Sequence, residues 1–404
     1  MKNLHHRIGL LAGLTAVMWV TSCSPPLPSD ECPQSLTPDE RSTAESTDNL
    51  PMPVASPDFV RRRLEAAIDH VRQRDVLVSN GFWTVFHSIL GLGPSTTLLD
   101  DREDSSSKGQ RLNAVDYIAG GGEMRGLDFR PKKYRSEIFG LDVINQAEGA
   151  GVGQGHQDQF VAEMSQWGMP AEKKFNVFGK DYTFIDFVRF SQMRASVDPK
   201  RNQELSWSII VVGQYLGLDK GDWTNNYGEN LSFEKMMRYE LDASVEKAAC
   251  GGTHRLFGLA WVYQLHLQKD GATNGIWQEI ADKIGKYRDL AKNYQNPDGT
   301  FSTEYFLGPG NSADKQLQIA ATGHTLEWLA LALPEEELRE EWMRRAASAL
   351  SLQILELQGS SIEGGALYHA THGLLIYYAR LYDRTWLGPN DPPVPLPPKR
   401  PDAM

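Results

Sequence analysis

The chain has 404 residues, long enough for one large domain or two ordinary ones, and its 10 tryptophans and 41% hydrophobic residues read as globular. A formal charge of -11, with no clustered run of Lys and Arg, argues against a surface that tracks nucleic-acid phosphates. Three cysteines, Cys23, Cys32 and Cys250, are too few for a disulfide framework in a chain of this size.

Residues 1–22 read as a signal segment. Lys2 and Arg7 form its basic start, Ile8 to Trp19 its apolar stretch, and Val20-Thr21-Ser22-Cys23 follows. That tetrapeptide resembles the bacterial lipobox, whose cysteine becomes the diacylated first residue of the mature protein. The resemblance implies lipidation at Cys23, a membrane as partner through that lipid, and a cell-envelope, extracytoplasmic location; an ordinary cleaved signal peptide is the alternative. The apolar run is too short to span a bilayer comfortably. Residues 23–57 are rich in Pro, Ser, Thr, Asp and Glu and poor in large apolar residues, so they are expected to form a disordered tether.

From residue 58 to 388 the pattern is helical almost throughout. Val60, Leu64, Ala67, Ile68 and Val71 mark one amphipathic helix; Trp277, Ile280, Ala281, Ile284, Tyr287, Ala291 and Tyr294 mark a second. A third, Leu338 to Ile354, opens with Pro334 and three acidic residues, as a helix N-terminus favours. Alternating with these one-sided helices are segments apolar around most of their circumference, such as Phe82 to Leu92, Trp207 to Leu216 and Leu256 to Leu267, which need enclosure on both sides. Six outer-then-inner pairs result: 58–74 with 81–92, 136–147 with 154–166, 183–194 with 205–217, 233–248 with 253–267, 277–295 with 322–333, and 336–357 with 371–382. An inner ring of buried helices wrapped by an outer amphipathic ring satisfies both kinds at once, which predicts an all-α (α/α)6 toroid of six helical hairpins. Asp100 to Arg135 reads as a polar excursion over one face, Phe175 to Phe184 as a small inserted β-hairpin, and residues 389–404 as a Pro-rich, extended tail.

Gln295-Asn296-Pro297-Asp298-Gly299-Thr300-Phe301 looks like the Gln-to-Gly-aromatic repeat of the terpenoid cyclase and protein prenyltransferase α/α toroids, with looser echoes at Gln73 before Gly81-Phe82-Trp83 and at Gln358 before Gly364-Gly365. The resemblance implies the toroid and says little of substrate, because one fold hosts many functions.

Cys250-Gly251-Gly252-Thr253-His254-Arg255 is the stretch around which candidate chemistry gathers. Thr253-His254, Thr322-Gly323-His324 and Thr371-His372 each place a capping-type Thr by a histidine, and Gly155-His156 opens the second inner helix similarly. These four histidines are expected at inner-helix first turns on one rim, where the helix dipole keeps them neutral. Glu204, Glu327 and Tyr368 join them as candidate catalytic groups, and Trp207, Arg255 and His369 as substrate-binding ones.

Three functions compete for that rim. It binds or processes a carbohydrate in the manner of a lyase, hydrolase or epimerase, with a glycan as ligand and Glu204 and Glu327 as the acid pair of a hydrolase. It is a non-catalytic binding or scaffold module of the envelope. Or Cys250, His254, His324 and His372 hold zinc, as a Cys-and-His site in a prenyltransferase-like toroid does; against this, Cys250 lacks the Asp-x-Cys context of that family. The terpene-cyclase Asp-x-Asp-Asp is absent, Asp100-Asp101-Arg102-Glu103-Asp104 reads as a solvated acidic loop, and Cys250-Gly251-Gly252 lacks the Glu-Gln of thioester-bearing toroids.

Overall fold

The computed structural model describes residues 56–134, 137–145, 153–201, 203–269, 271–357, 359–387 and 395, all within the unit Thr43–Met404. The predicted signal segment, Cys23, nearly all of the tether and tail, and Gln358 lie outside the described residues. Among those described, thirteen α-helices and four small sheets make up the fold, and no helix is long and apolar enough to cross a membrane.

The one-sided helices form where the sequence pattern puts them. In α1 (Pro57–Arg72) the Ser56 hydroxyl accepts from the Phe59 amide, proline occupies the first turn, and Val60, Leu64, Ala67, Ile68 and Val71 are the buried stripe. Each such aliphatic side chain contributes about 1.5–3 kcal/mol on full burial. The same logic builds α5 (Phe184–Arg194), α7 (Phe233–Asp242), α9 (Ile276–Asn293) and α12 (Glu341–Glu356). A four-residue helix, α11 (Glu335–Leu338), precedes α12, so the single helix predicted over 336–357 is broken at Arg339 and Glu340.

The helices buried over most of their circumference are α2 (Phe82–Leu92), α4 (Gln159–Gln166), α6 (Ser206–Leu216), α8 (Thr253–Gln268), α10 (Lys315–Ala332) and α13 (Gly364–Leu381). All eight residues of α4 are buried. Each of these packs on the next in chain order, and α13 packs on α10 and on α2. Around them, α7 contacts α6 and α8, α9 contacts α8 and α10, α12 contacts α10 and α13, and α1 contacts α12 and α13.

One predicted outer helix is a strand. Residues 136–147 hold β5 (Glu137–Val143), antiparallel to β4 (Phe129–Tyr134), with Phe129 opposite Val143. Leu141, Asp142 and Val143 are all buried and Phe129 faces Val143 across the pair, so the strand is covered on both faces and its β-branched Val143 suits the extended backbone. The hairpin packs on α5. Arg194 ties the two together, donating to Asp142 on β5 (2.7 Å) and to Asp158 before α4 (2.6 Å), while Ser191 and Ser208 donate to the same Asp158. The inserted hairpin expected at 175–184 is present as β6 (Lys174–Val177) and β7 (Lys180–Thr183).

The polar excursion after residue 100 is more ordered than a solvated loop. It contains β3 (Arg111–Asn113), which pairs with β2 (Thr97–Leu99), itself beside β1 (Val76–Leu77), and α3 (Ala114–Ala119). Asp100 is buried, accepting from Arg102, Ser105 and Ser107, because a short arginine fork and two hydroxyls saturate its carboxylate locally. A last two-stranded sheet, β8 (Trp223–Thr224) with β9 (Asn230–Leu231), precedes α7. The Gln295 repeat closes a clasp: its side-chain amide donates to Gly299 O (2.9 Å) and to Trp342 O (2.8 Å) at the start of α12.

Candidate metal centre

Three successive residues, Cys250, Gly251 and Gly252, have positive φ of 50°, 61° and 78° in the 3-10 turn that enters α8. A side chain at Gly251 would strike the Tyr305 ring and one at Gly252 the Val245 carbonyl, at 2.1 and 2.2 Å. Glycine is thus required at both, and Cys250, which has a Cβ, is held in a left-handed conformation that costs about 1–2 kcal/mol. The turn presents Cys250 beside His254, the second residue of α8, and Thr253 donates back to Cys250 O (2.8 Å) rather than capping the helix.

The other histidines come from inside the helices. His324 is not at a first turn, because α10 begins at Lys315, and His372 is not, because α13 begins at Gly364. The predicted Thr caps fail for the same reason. Asp314 and Glu363 cap these helices instead, and Thr322 and Thr371 bond to the Phe301 amide and the Leu367 carbonyl. Close approach of α10 to α13 at Gly323, where a Cβ would sit 2.6 Å from that of Ala370, brings their histidines together.

His254, His324 and His369 pack as a trio, with ring centroids 5.3 Å (254–324), 5.5 Å (254–369) and 4.3 Å (324–369) apart. His156, just before α4, stands edge-on to His254 at 4.8 Å, and His87 of α2 edge-on to His369 at 5.2 Å. Five imidazoles from α2, α8, α10, α13 and the turn before α4 therefore form one continuous cluster. Trp207 on α6 packs on His254 (4.8 Å) and His369 (6.4 Å).

What distinguishes these rings is how their Nδ1 atoms are engaged. His87 Nδ1 meets Trp83 O (2.8 Å), His324 Nδ1 meets Ala320 O (2.8 Å), His369 Nδ1 meets Glu327 Oε2 (2.8 Å), and His156 Nδ1 meets Glu204 Oε2 (3.0 Å). A carbonyl or carboxylate accepting from Nδ1–H orients the ring and leaves Nε2 as the nitrogen that can meet a metal, the arrangement found behind metal-binding histidines. Both nitrogens of His254, Nε2 of His369 and His372, and both oxygens of Glu163 are buried without a hydrogen-bond partner. Candidate ligand atoms lie within 4.8 Å of one another in three overlapping sets: His156, Cys250 and His254; His254, His324 and His369; His87, Glu163 and His369.

The charges follow from this crowding. Burial opposes ionisation of Cys250, yet His254, His324 and His156 around it hold the thiol well below its usual range. Burial would lower His156 and His324, but the thiolate dominates, with Glu204 reinforcing it at His156; the two are pushed up to about 10 and about 9, not kept neutral as helix-start histidines would be. Burial lowers His369 to about 4 and His87 well below the ordinary imidazole value. Glu204 falls to about 2 because His156 outweighs its burial, and Glu327 is lowered by His369 and His372 against its own burial. Glu163 is raised well above a usual carboxyl by burial.

Of the residues singled out from sequence, Cys250, His156, His254, His324, His369, Glu204, Glu327 and Trp207 converge here. Three do not join the cluster of free imidazole nitrogens. His372 gives its Nδ1 to Glu327 Oε1 (2.6 Å), and its ring lies 6.3 Å from Trp167 and from Phe257; it belongs to none of the ligand sets, where His156 and His369 stand instead. Arg255 turns to Glu240 (2.8 Å), being one turn-step around α8 from His254. Tyr368 packs against Gly91 of α2, on a different face of α13 from His369. The signal for His87 and Glu163 in the sequence is a single titratable residue inside a short helix that carries no other.

Comparison with protein-family models, with curated proteins and with solved structures finds no match to this chain.

Proposed function

We propose that this chain is an envelope lipoprotein anchored through Cys23, whose body is an (α/α)6-type toroid with a transition-metal centre at its core, held by Cys250, His156, His254 and His324. The toroid reading is supported by the circuit of six buried helices, α2 to α13, in which the last packs on the first; the β4–β5 hairpin stands where a second outer helix was expected.

One observation carries the metal reading: His156 and His324, whose Nδ1 atoms are already spoken for, gather at the Cys250 thiolate, where a metal ion would replace the protons they hold, alongside a His254 with no partner at either nitrogen. One thiolate with three imidazoles is donor chemistry for zinc and its first-row neighbours. His156 and Glu204, each 19% exposed, form the end of the cluster nearest solvent, so an ion here has a side open to water and small substrates. With four protein ligands the ion would activate a water or hydroxyl only by taking it as a fifth ligand, with Glu204 beside it to hold a proton.

A carbohydrate-processing rim keeps the histidines and both glutamates but lacks Arg255 and Tyr368, and Trp207, 1% exposed, has no ring face to offer a sugar. The metal reading therefore leads. Full-length chain purified without chelators is expected to take up zinc, and cobalt(II) substituted for it should give a thiolate-to-cobalt charge-transfer band that Cys250→Ser abolishes. Failure to take up either ion, or a cobalt spectrum indifferent to Cys250→Ser, sinks the proposal.

A further inference from the structure

We infer that His87, Glu163 and His369 form a second cation site beside the first, so that the core holds a pair of neighbouring ions; this rests on the metal reading above and extends it. The starting point is Glu163. Its side chain is fully buried in the middle of α4, and neither carboxylate oxygen has a donor in good hydrogen-bond geometry. Protein interiors rarely leave a carboxylate in that condition without a proton or a cation to satisfy it.

The groups around it are two imidazole ligands and one donor, the Gln159 amide, which acts on the Glu163 carboxyl against its burial. His87 Nε2 lies 3.5 Å from Glu163 Oε1, and its Nδ1 is occupied by Trp83 O, so the nitrogen facing the carboxylate is the one with the lone pair. Across from it, His369 Nε2 is buried and unpartnered, with Nδ1 held by Glu327. The three ligand atoms lie within 4.8 Å of one another. One neighbour competes: the Gln159 amide stands 3.1 Å from His87 Nε2 and must turn aside on ligation.

Assigning His369 to this site resolves the overlap between the ligand sets. His369 has one free nitrogen and can serve one ion, which leaves Cys250, His156, His254 and His324 for the first. The donor sets then differ in kind. The first, with a thiolate, suits soft and borderline ions; the second, two imidazoles and one carboxylate, suits a divalent first-row cation with coordination positions left for water or substrate. Their nearest rings, His324 and His369, are 4.3 Å apart between centroids, so the two ions would be neighbours held by packed imidazoles, as in sites where two cations act on one substrate.

The test is metal stoichiometry on the full chain, titrated with zinc and separately with cobalt(II) against a chromophoric chelator. Wild type is expected to bind two equivalents. Glu163→Gln, which keeps the shape of the side chain, should bind one and retain the thiolate–cobalt band; Cys250→Ser should bind one and lose it. Two equivalents with Glu163→Gln unchanged, or a single equivalent in wild type with the cobalt band present, overturns the second site and leaves the first standing. No binding at all overturns both. A single equivalent in wild type overturns the second site even if a variant fails to fold; where Glu163→Gln does not fold, His87→Ala replaces it with the same expected loss of one equivalent, and thermal melts of the metal-free forms show which variants fold.

Discussion

Two glutamates, Glu327 buried and Glu204 partly exposed, do similar work behind histidines of the cluster. Glu327 accepts from His369 and His372 at once, at 2.8 and 2.6 Å, spending both oxygens on imidazole Nδ1 atoms three residues apart on one face of α13. Glu204 accepts from His156 at 3.0 Å and leaves its other oxygen unpartnered, 3.9 Å from His254. A carboxylate behind a ligating histidine orients the ring and raises its basicity, and removing it typically weakens metal affinity 10- to 100-fold. Glu204→Gln is therefore expected to lower zinc affinity by roughly that factor in a competition titration while the thiolate–cobalt band persists at saturation. An unchanged affinity would show that Glu204 does not act through His156. The melting temperature of the metal-free variant should move little, because the carboxamide oxygen can still accept from His156 Nδ1.

At the scale of elements, the junction of α6, α7 and α8 is braced by Glu240, which accepts from the Leu205 amide (2.7 Å) and the Ser206 hydroxyl (2.9 Å) at the start of α6 and pairs with Arg255 of α8. Burial pushes this carboxyl up from 4.5 to about 7, with Arg255 pulling the other way. Because the folded value is the higher one, the folded state holds a proton that the unfolded chain has released across that window. The contribution is complete below about pH 4.5 and is lost as pH rises toward 7, at most about 3 kcal/mol. Urea midpoints of the wild type should fall over this range more steeply than those of Glu240→Gln; parallel curves would remove Glu240 as the source.

The same scale shows what could be read without coordinates. Val60, Leu64, Ala67, Ile68 and Val71 announce α1 by their spacing, and the Gln295 turn announces where α9 stops. The strand at 137–143 is hidden because a run this short carries too few periods to separate two from 3.6. The starts of α10 and α13 are hidden for a different reason. Lys315 to Ala321 and Gly364 to Thr371 lack the strongly apolar signature of the segments after them, and their true caps, Asp314 and Glu363, stand behind polar or Gly-rich stretches. Misplacing those starts put His324 and His372 on a rim; the longer helices carry them inward. His87 and Glu163 were legible only as oddities, since their pairing depends on α2 lying against α4, a contact between residues far apart in sequence.

For the whole molecule, the cluster draws on α2, α8, α10, α13 and the segment before α4, so a bound ion links elements from nearly the full described length. Anything that binds only the folded state stabilises it by mass action, about 4 kcal/mol at a thousandfold excess over Kd. Removing metal with a chelator should accordingly lower the melting temperature by several degrees, and adding zinc back should restore it, as scanning calorimetry would show. Superimposable traces with and without chelator would count against metal as part of the native state. The contact of α13 on α2 has one more consequence, in time rather than in energy. α13 is the last long helix, and until it seats against both α10 and α2 the helix that carries His87 lacks its closing neighbour and His369 is not in place. A chain still emerging, with α10 made and α13 not, can offer Cys250, His156, His254 and His324 but not the His369 of the second site, so a filled second site certifies that α13 has seated.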